Sequence, residues 1–230
     1  MNNVQLNDDV LGLIVFKSDL HDPSSSLASW KDDLSACSWN RVQCNPATGR
    51  VTEINLVGLG LSGRIEKGLE KLQHLMVLSL SHNNFNGSIT PSLTLSSTIQ
   101  NLNLSHNGFS GQMPTSFFNM SSIRSLDLSH NSFSGHIPQS FFDSYNFLHY
   151  FSLSNNLFEG QSPSRISRCS SLNSTDLSNN HFVGYIDFAV VWSLSRLRQL
   201  DFFSNALSGS LPNRISKLQL HLTHFDPRIN

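Results

Sequence analysis

The chain has 230 residues, is 38% hydrophobic and only 13% charged, and carries a net charge of −1 at pH 7. That length suits one domain with a sizeable core. The near-neutral balance argues against nucleic acid as a partner, because phosphate binding needs a basic surface. No stretch approaches the ~20 apolar residues that span a bilayer. The opening Met-Asn-Asn-Val-Gln-Leu-Asn-Asp-Asp also lacks a charged segment followed by an apolar run, so neither a secretion leader nor a membrane anchor is expected in these residues.

Residues 8–20 read as an amphipathic helix capped by Asp8 or Asp9, with Val10, Leu13, Ile14 and Lys17 at helical spacing and Leu20 extending the apolar side. Asp22-Pro23-Ser24-Ser25-Ser26 is a turn, and Leu27 to Trp30 a short packed segment. Next comes Cys37-Ser38-Trp39-Asn40-Arg41-Val42-Gln43-Cys44. Two cysteines so close suggest a disulfide, worth roughly 2–3 kcal/mol on the chain-entropy account. The alternative is a pair of free buried thiols. Zinc is not expected, since no second Cys/His pair lies at ligand spacing.

From Val51 onward one motif recurs. Its clearest copy is Leu126-Asp127-Leu128-Ser129-His130-Asn131-Ser132-Phe133-Ser134-Gly135-His136-Ile137-Pro138. The motif glycines, Gly63, Gly87, Gly111, Gly135, Gly160, Gly184 and Gly209, are spaced by 24, 24, 24, 25, 24 and 25. The whole string L-x-L-S-x-N-x-F/L-x-G moves together, which is the pattern of a leucine-rich repeat. Its L-x-L puts two apolar residues inward at strand period, one short parallel strand per repeat. The Asn that follows (Asn83, Asn107, Asn131, Asn156, Asn180, Asn205) sits where the chain turns inward and has an amide to satisfy unpaired backbone groups. Phe85, Phe109, Phe133, Phe158, Phe182 and Leu207 then form a stacked apolar spine, and the Gly permits a positive φ or a close approach. Pro114, Pro138, Pro163 and Pro212 mark a stretch outside central sheet pairing. Thr175 and Ser162 replace the usual Leu and Ile and read as local weaknesses, and Cys169 as a small buried residue. Leu222 to Asn230 begins an eighth repeat in which Pro227 takes the second strand Leu, so an incomplete, uncapped end is expected.

The outward strand positions form three columns. The first is Glu53, Val77, Asn101, Ser125, Tyr150, Ser174 and Gln199; the second is Asn55, Ser79, Asn103, Asp127, Ser152, Asp176 and Asp201; the third is Val57, Ser81, Ser105, Ser129, Ser154, Ser178 and Phe203. Most are small and polar, as a solvated sheet needs. Val77, Tyr150 and Phe203 stand out as candidate contact residues, with scattered surface hydrophobics as the bland alternative. His82, His106 and His130 form a ladder at ~5 Å on stacked strands; a metal or pH-sensing site is one reading of it, and the simpler one is a position tolerant of polar residues, because Asn155, Asn179 and Ser204 continue it. Asp127, Asp176 and Asp201 belong to a repeated scaffold position with no convergent base or nucleophile, so catalysis is not expected. Four sequons occur, at Asn86, Asn103, Asn119 and Asn173. Asn103 falls on the expected concave strand.

The cap Asp8 to Trp30, the Cys37-Ser38-Trp39…Cys44 pair and the Leu-Ser-Gly-x-Ile-Pro-type repeats together resemble plant leucine-rich-repeat receptor-like kinases. Asn7 to Leu20 is most similar to a subgroup with long ectodomains and inactive kinase domains. The resemblance implies an α/β solenoid: a right-handed superhelix with a parallel sheet on its concave face, helices, 3₁₀ turns or loops opposite, and an N-terminal helical cap. It supports the Cys37–Cys44 bridge. It also implies a glycosylated ectodomain at the extracellular face of the plasma membrane, binding a peptide, glycan or protein ligand or a co-receptor, without cofactor or metal. The family's transmembrane helix and kinase motifs are not among these residues. The expected organisation is a cap at 1–46, seven repeats of 24–25 residues at 47–216 and a partial repeat at 217–230. Recognition is expected to use Glu53, Val77, Asn101, Tyr150, Gln199 and Phe203. The rival reading is a free-standing secreted inhibitor similar to polygalacturonase-inhibiting proteins.

Overall fold

The computed structural model describes residues 7–31, 35–90 and 97–208. Gly209, Pro212 and the expected eighth repeat with Pro227 lie outside the described residues.

Each repeat builds two strands, not one. The L-x-L strands (Val51–Asn55, Val77–Ser79, Asn101–Asn103, Ser125–Asp127, Tyr150–Ser152, Ser174–Asp176, Gln199–Asp201) pair in parallel, in sequence order, as the concave sheet. Beyond the Asn turn a second parallel sheet forms from Ser62–Gly63, Asn84–Ser88, Gly108–Gln112, Ser132–His136, Leu157–Gln161, His181–Tyr185 and Ala206–Ser208. The sequence reading placed only one sheet here, because a glycine inside a strand weakens the strand signal. The prolines follow these strands and lead into 3₁₀ turns at Thr115–Asn119, Gln139–Ser144 and Ser164–Arg168 on the opposite side. The sixth repeat uses a short helix there, α2 (Phe188–Ser193).

The glycines of the second sheet have two jobs. Gly87, Gly111, Gly135, Gly160 and Gly184 hold φ between +80° and +86°. Each also makes room for a side chain of the preceding repeat: a Cβ on Gly160 would lie 2.2 Å from His136 Cδ2, and one on Gly184 2.0 Å from Gln161 Oε1.

Two columns run through the interior. The rings of Phe85, Phe109, Phe133, Phe158 and Phe182 stack with centroids 6.1, 6.1, 6.2 and 6.5 Å apart, and all five are buried. Beside them the turn asparagines tie each repeat to the one before. Asn156 Nδ2 donates to the carbonyls of Leu128, Leu153 and Ser154 at 2.9, 3.0 and 3.2 Å, and its Oδ1 accepts from the Phe133 N–H at 2.9 Å. Asn107, Asn131, Asn180 and Asn205 repeat that set. Thr175, in place of a strand Leu, is fully buried and its hydroxyl finds no partner among the described residues. It is a local weakness, as its polarity implies.

The cap closes both sheets with antiparallel strands. Val42–Cys44 covers Val51–Asn55, and Leu20–His21 covers Ser62–Gly63. Helix α1 (Asp8–Ser18) is capped by Asn7, whose Oδ1 accepts from Asp9 N–H at 3.0 Å, not by Asp8 or Asp9. Asp9 is instead buried, taking Arg50 Nε and Nη2 at 2.9 and 2.8 Å and the Val51 N–H at 2.9 Å. The buried side of α1 is Val10, Gly12, Leu13 and Phe16, with Ile14 only half-buried and Leu20 beyond the helix. Gly12 sets this rotation by abutting Gly68, whose carbonyl oxygen a Cβ on Gly12 would meet at 2.6 Å. Trp30 stacks on Trp39 at 5.7 Å and donates to the Asn40 carbonyl. Cys37 and Cys44 are bridged, and Cys169 is free and buried, its thiol pushed up to about 12 by burial.

Candidate functional site on the concave face

Parallel pairing carries the first outward column across the sheet in exact order. Glu53 pairs with Val77, Val77 with Asn101, Asn101 with Ser125, Ser125 with Tyr150, Tyr150 with Ser174, and Ser174 with Gln199. These residues are half-buried or exposed. Ser174 donates to Gln199 Oε1 at 3.2 Å.

The second column is occupied with the strand ends. Asp127 Oδ1 accepts from Ser129 N–H and Oγ at 3.0 and 2.7 Å, and Asp176 Oδ1 from Ser178 N–H and Oγ at the same distances. Asn103 takes Ser105 likewise, and Asp201 takes the Phe203 N–H at 2.8 Å. These carboxylates are turn acceptors, and no acid, base and nucleophile converge there.

The third column differs from its expected solvated state. Ser81, Ser105, Ser129, Ser154 and Ser178 are buried, because the chain turns inward directly after them; Ser105, Ser129 and Ser178 fold their hydroxyls back onto the second column. Val57 and Phe203 break the series, at 37% and 43% exposure. Phe203 is therefore an aromatic surface in a column whose five serines are buried.

Tyr150 sits centrally on this face. Burial raises its phenol above the ordinary range, and the Asp127 carboxylate, with Asp176 adding less, pushes the same way against a Ser152 hydrogen bond. The phenol therefore stays protonated and can donate. One strand edge away, a feature the sequence did not signal adjoins it. Arg124 lies over the exposed Phe147 ring at 5.7 Å, while its Nε donates to Gln100 Oε1 at 3.2 Å. Arg124 and His149 continue one hydrogen-bonded rim column with Met76 and Gln100. A shallow depression on this rim is lined by Thr52, His74, Met76 and Gln100 among others.

On the opposite rim the rings of His82, His106 and His130 stack at 4.1 and 3.9 Å. This position is not merely tolerant. It holds φ of +56°, +54° and +53°, and Asn155, Asn179 and Ser204 share it at +56°, +53° and +54°. Left-handed backbone favours His and Asn over bulky or branched residues. No group of three or more His, Cys, Asp or Glu suited to a metal ion occurs among the described residues. Of the sequons, Asn86, Asn119 and Asn173 are exposed, whereas Asn103 is half-buried with its Oδ1 engaged by Ser105.

Comparison with known proteins agrees with this architecture. Residues 6–45 match the leucine rich repeat N-terminal domain, residues 97–146 one leucine rich repeat family, and residues 74–95, 147–169 and 196–218 another. A leucine-rich repeat receptor-like protein kinase of Arabidopsis thaliana is 63% identical over 89 residues, covering 38% of this chain and 9% of the relative. The chain thus spans about a tenth of the length of curated relatives it matches. The solved PEPR1–AtPEP1 structure aligns with TM-score 0.82 and 29% identity, covering 90% of this chain and 29% of that one. A chain of the BIR3–SERK2 complex from Arabidopsis thaliana aligns with TM-score 0.65 and 31% identity, covering 73% of this chain and 94% of that one. The chain belongs to the leucine-rich-repeat family, on the branch built like the ectodomains of plant receptor-like kinases.

Proposed function

We propose that this protein is a non-catalytic recognition module whose concave face binds a peptide or protein segment, and that it serves as a ligand- or co-receptor-binding part of a plant receptor-like kinase ectodomain. One observation carries the reading. The second and third columns are largely consumed by internal hydrogen bonds, whereas the first presents chemically varied side chains, Glu53, Val77, Asn101, Tyr150 and Gln199, in unbroken register. A repeated scaffold that varies most in its first outward column is a template for a partner's side chains. Phe203 and the Arg124–Phe147 pair add the aromatic and arginine surface that interface hot spots favour. The solved neighbours PEPR1–AtPEP1 and BIR3–SERK2 are themselves complexes, which supports a binding role. The bridged cap cysteines suit an oxidising compartment, which, with the relatives' receptor-like character, supports a working site outside the cell, at the plasma membrane. No described helix is long and apolar enough to cross a membrane. Asn86, Asn119 and Asn173 are the sequons proposed for glycosylation; Asn103 is not.

The test is a peptide library panned on the protein, with selected peptides measured against Tyr150→Ala, Phe203→Ala and the double variant. Loss of at least about tenfold in affinity is expected for the double variant, the size of one hot-spot contact, with circular dichroism unchanged. Undiminished binding by the double variant sinks the assignment of those two residues.

A further inference from the structure

The histidine ladder lies outside the outward columns of the concave sheet, and nothing in the recognition surface uses it. Its three imidazoles are exposed, with ring planes 13° apart in each pair. Backbone held at φ of +53° to +56° sets each side chain off in the same direction, and strand stacking brings successive rings to 4.1 and 3.9 Å. Neutral rings stack favourably at this distance. Protonated rings repel one another, and Asp127 is the carboxylate that faces the middle ring. Burial first, then His130 and His82, hold His106 below the ordinary imidazole range, with Asp127 opposing. On the outer side His130 Nε2 meets Asn155 Nδ2 at 3.3 Å.

Beside the ladder the second sheet has a gap. The position after each turn Asn carries Asn84, then Gly108, then Ser132. Gly108 has no side chain, and a depression opens there, bordered by His106, His130, Asn84 and Asn86. Its border holds imidazoles and amides and no carboxylate. When the imidazoles take up protons, positive charge accumulates at an edge where the facing carboxylate, Asp127, is already engaged by Ser129 N–H and Oγ and the notch itself supplies no anion. An anion from a partner would relieve the repulsion, and binding it would in turn favour protonation.

We propose that the His82–His106–His130 ladder, with the notch at Gly108, is an acid-switched docking edge for a carboxylate-bearing segment of a protein partner, engaged below about pH 6 and released above about pH 7. It goes beyond recognition by the concave face and does not depend on Tyr150 or Phe203.

A labelled Glu-rich decapeptide is the probe, measured by fluorescence anisotropy against unglycosylated protein at about pH 5.5 and 7.5 and constant ionic strength. Glutamate stays largely ionised at both values. Unglycosylated protein is used because a sugar on Asn86, which borders the notch, would cover it; the edge is open on chains unmodified at Asn86. Affinity at the acid value is expected to exceed that at the neutral value by at least tenfold, while a Lys-rich decapeptide shows no gain. The His82→Asn, His106→Asn, His130→Asn triple variant should abolish the gain. It should also fold, because Asn155 and Asn179 already occupy this column at the same φ. In the free protein, proton resonance titration should show His106 protonating below the ordinary imidazole range. The proposal is overturned if the acid gain is absent from the unaltered chain, survives in the triple variant, or appears equally with the Lys-rich peptide. Persistence of the gain in the Tyr150→Ala, Phe203→Ala variant is the expected result and separates this edge from the concave face; its loss there would also overturn the proposal.

Discussion

Replacing Asn156 by Ala is expected to destabilise the protein by about 3–5 kcal/mol. The side chain is 6% exposed and bonds four backbone groups, three carbonyls and one N–H, across two repeats. Alanine satisfies none of them. A made hydrogen bond contributes about 1 kcal/mol net, and a buried group left unpaired costs about 1–3 kcal/mol. The two amide protons are shared among three carbonyls, so the loss amounts to roughly two good donors and one acceptor, which gives the stated range. Asn156→Asp keeps the shape but a carboxylate cannot donate, so it should be at least as damaging. The assay is urea unfolding followed in parallel by far-ultraviolet circular dichroism and tryptophan fluorescence. Trp30 and Trp39 report the cap and Trp192 a late repeat, on either side of the lesion. In a one-dimensional array a break between them should also pull the two transitions apart. A cost below about 1 kcal/mol, with coincident transitions, would refute the view that these asparagines are the ties between repeats.

Asp9→Ala should cost about 3–5 kcal/mol, because it strands a partly buried Arg50 guanidinium and the Val51 N–H, and the cap tryptophans should melt early in urea. Gly160→Ala should cost about 1–2 kcal/mol for its left-handed backbone, and adding His136→Ala should restore only the steric part. Reducing the Cys37–Cys44 bridge should remove roughly 2–3 kcal/mol. Cys169 should resist iodoacetamide at about pH 8 in the folded protein and react once it is unfolded, since the reactive form is the thiolate. Alkylation of native Cys169 at the rate of a free thiol would contradict its placement.

Much of this architecture is periodic, and what is periodic can be read from the chain. The strand pairs, the Asn ties, the Phe column and the order of the first outward column all follow from one spacing. What escaped the reading is what does not repeat or what opposes local propensity. The Asp9–Arg50 pair joins residues 41 apart with no spacing rule to announce it. The second sheet hides behind a glycine in six of its seven described parallel strands. The third-column serines look solvated by composition, yet the inward turn after them buries them. The histidine column looked permissive until its backbone proved left-handed. The Arg124–Phe147 pair depends on one Arg and one Phe in adjacent repeats, and no second such pair occurs among the described residues.

The central claim is that partners meet the concave sheet, and amide hydrogen exchange of the protein with a library-selected peptide tests it most directly. Bound peptide is expected to slow exchange in the strands 101–103, 125–127, 150–152 and 174–176 by at least about tenfold, the scale of a local opening suppressed by binding. Slowing confined to the opposite side, at 115–119, 139–144 and 164–168, with the concave strands unchanged, would contradict it.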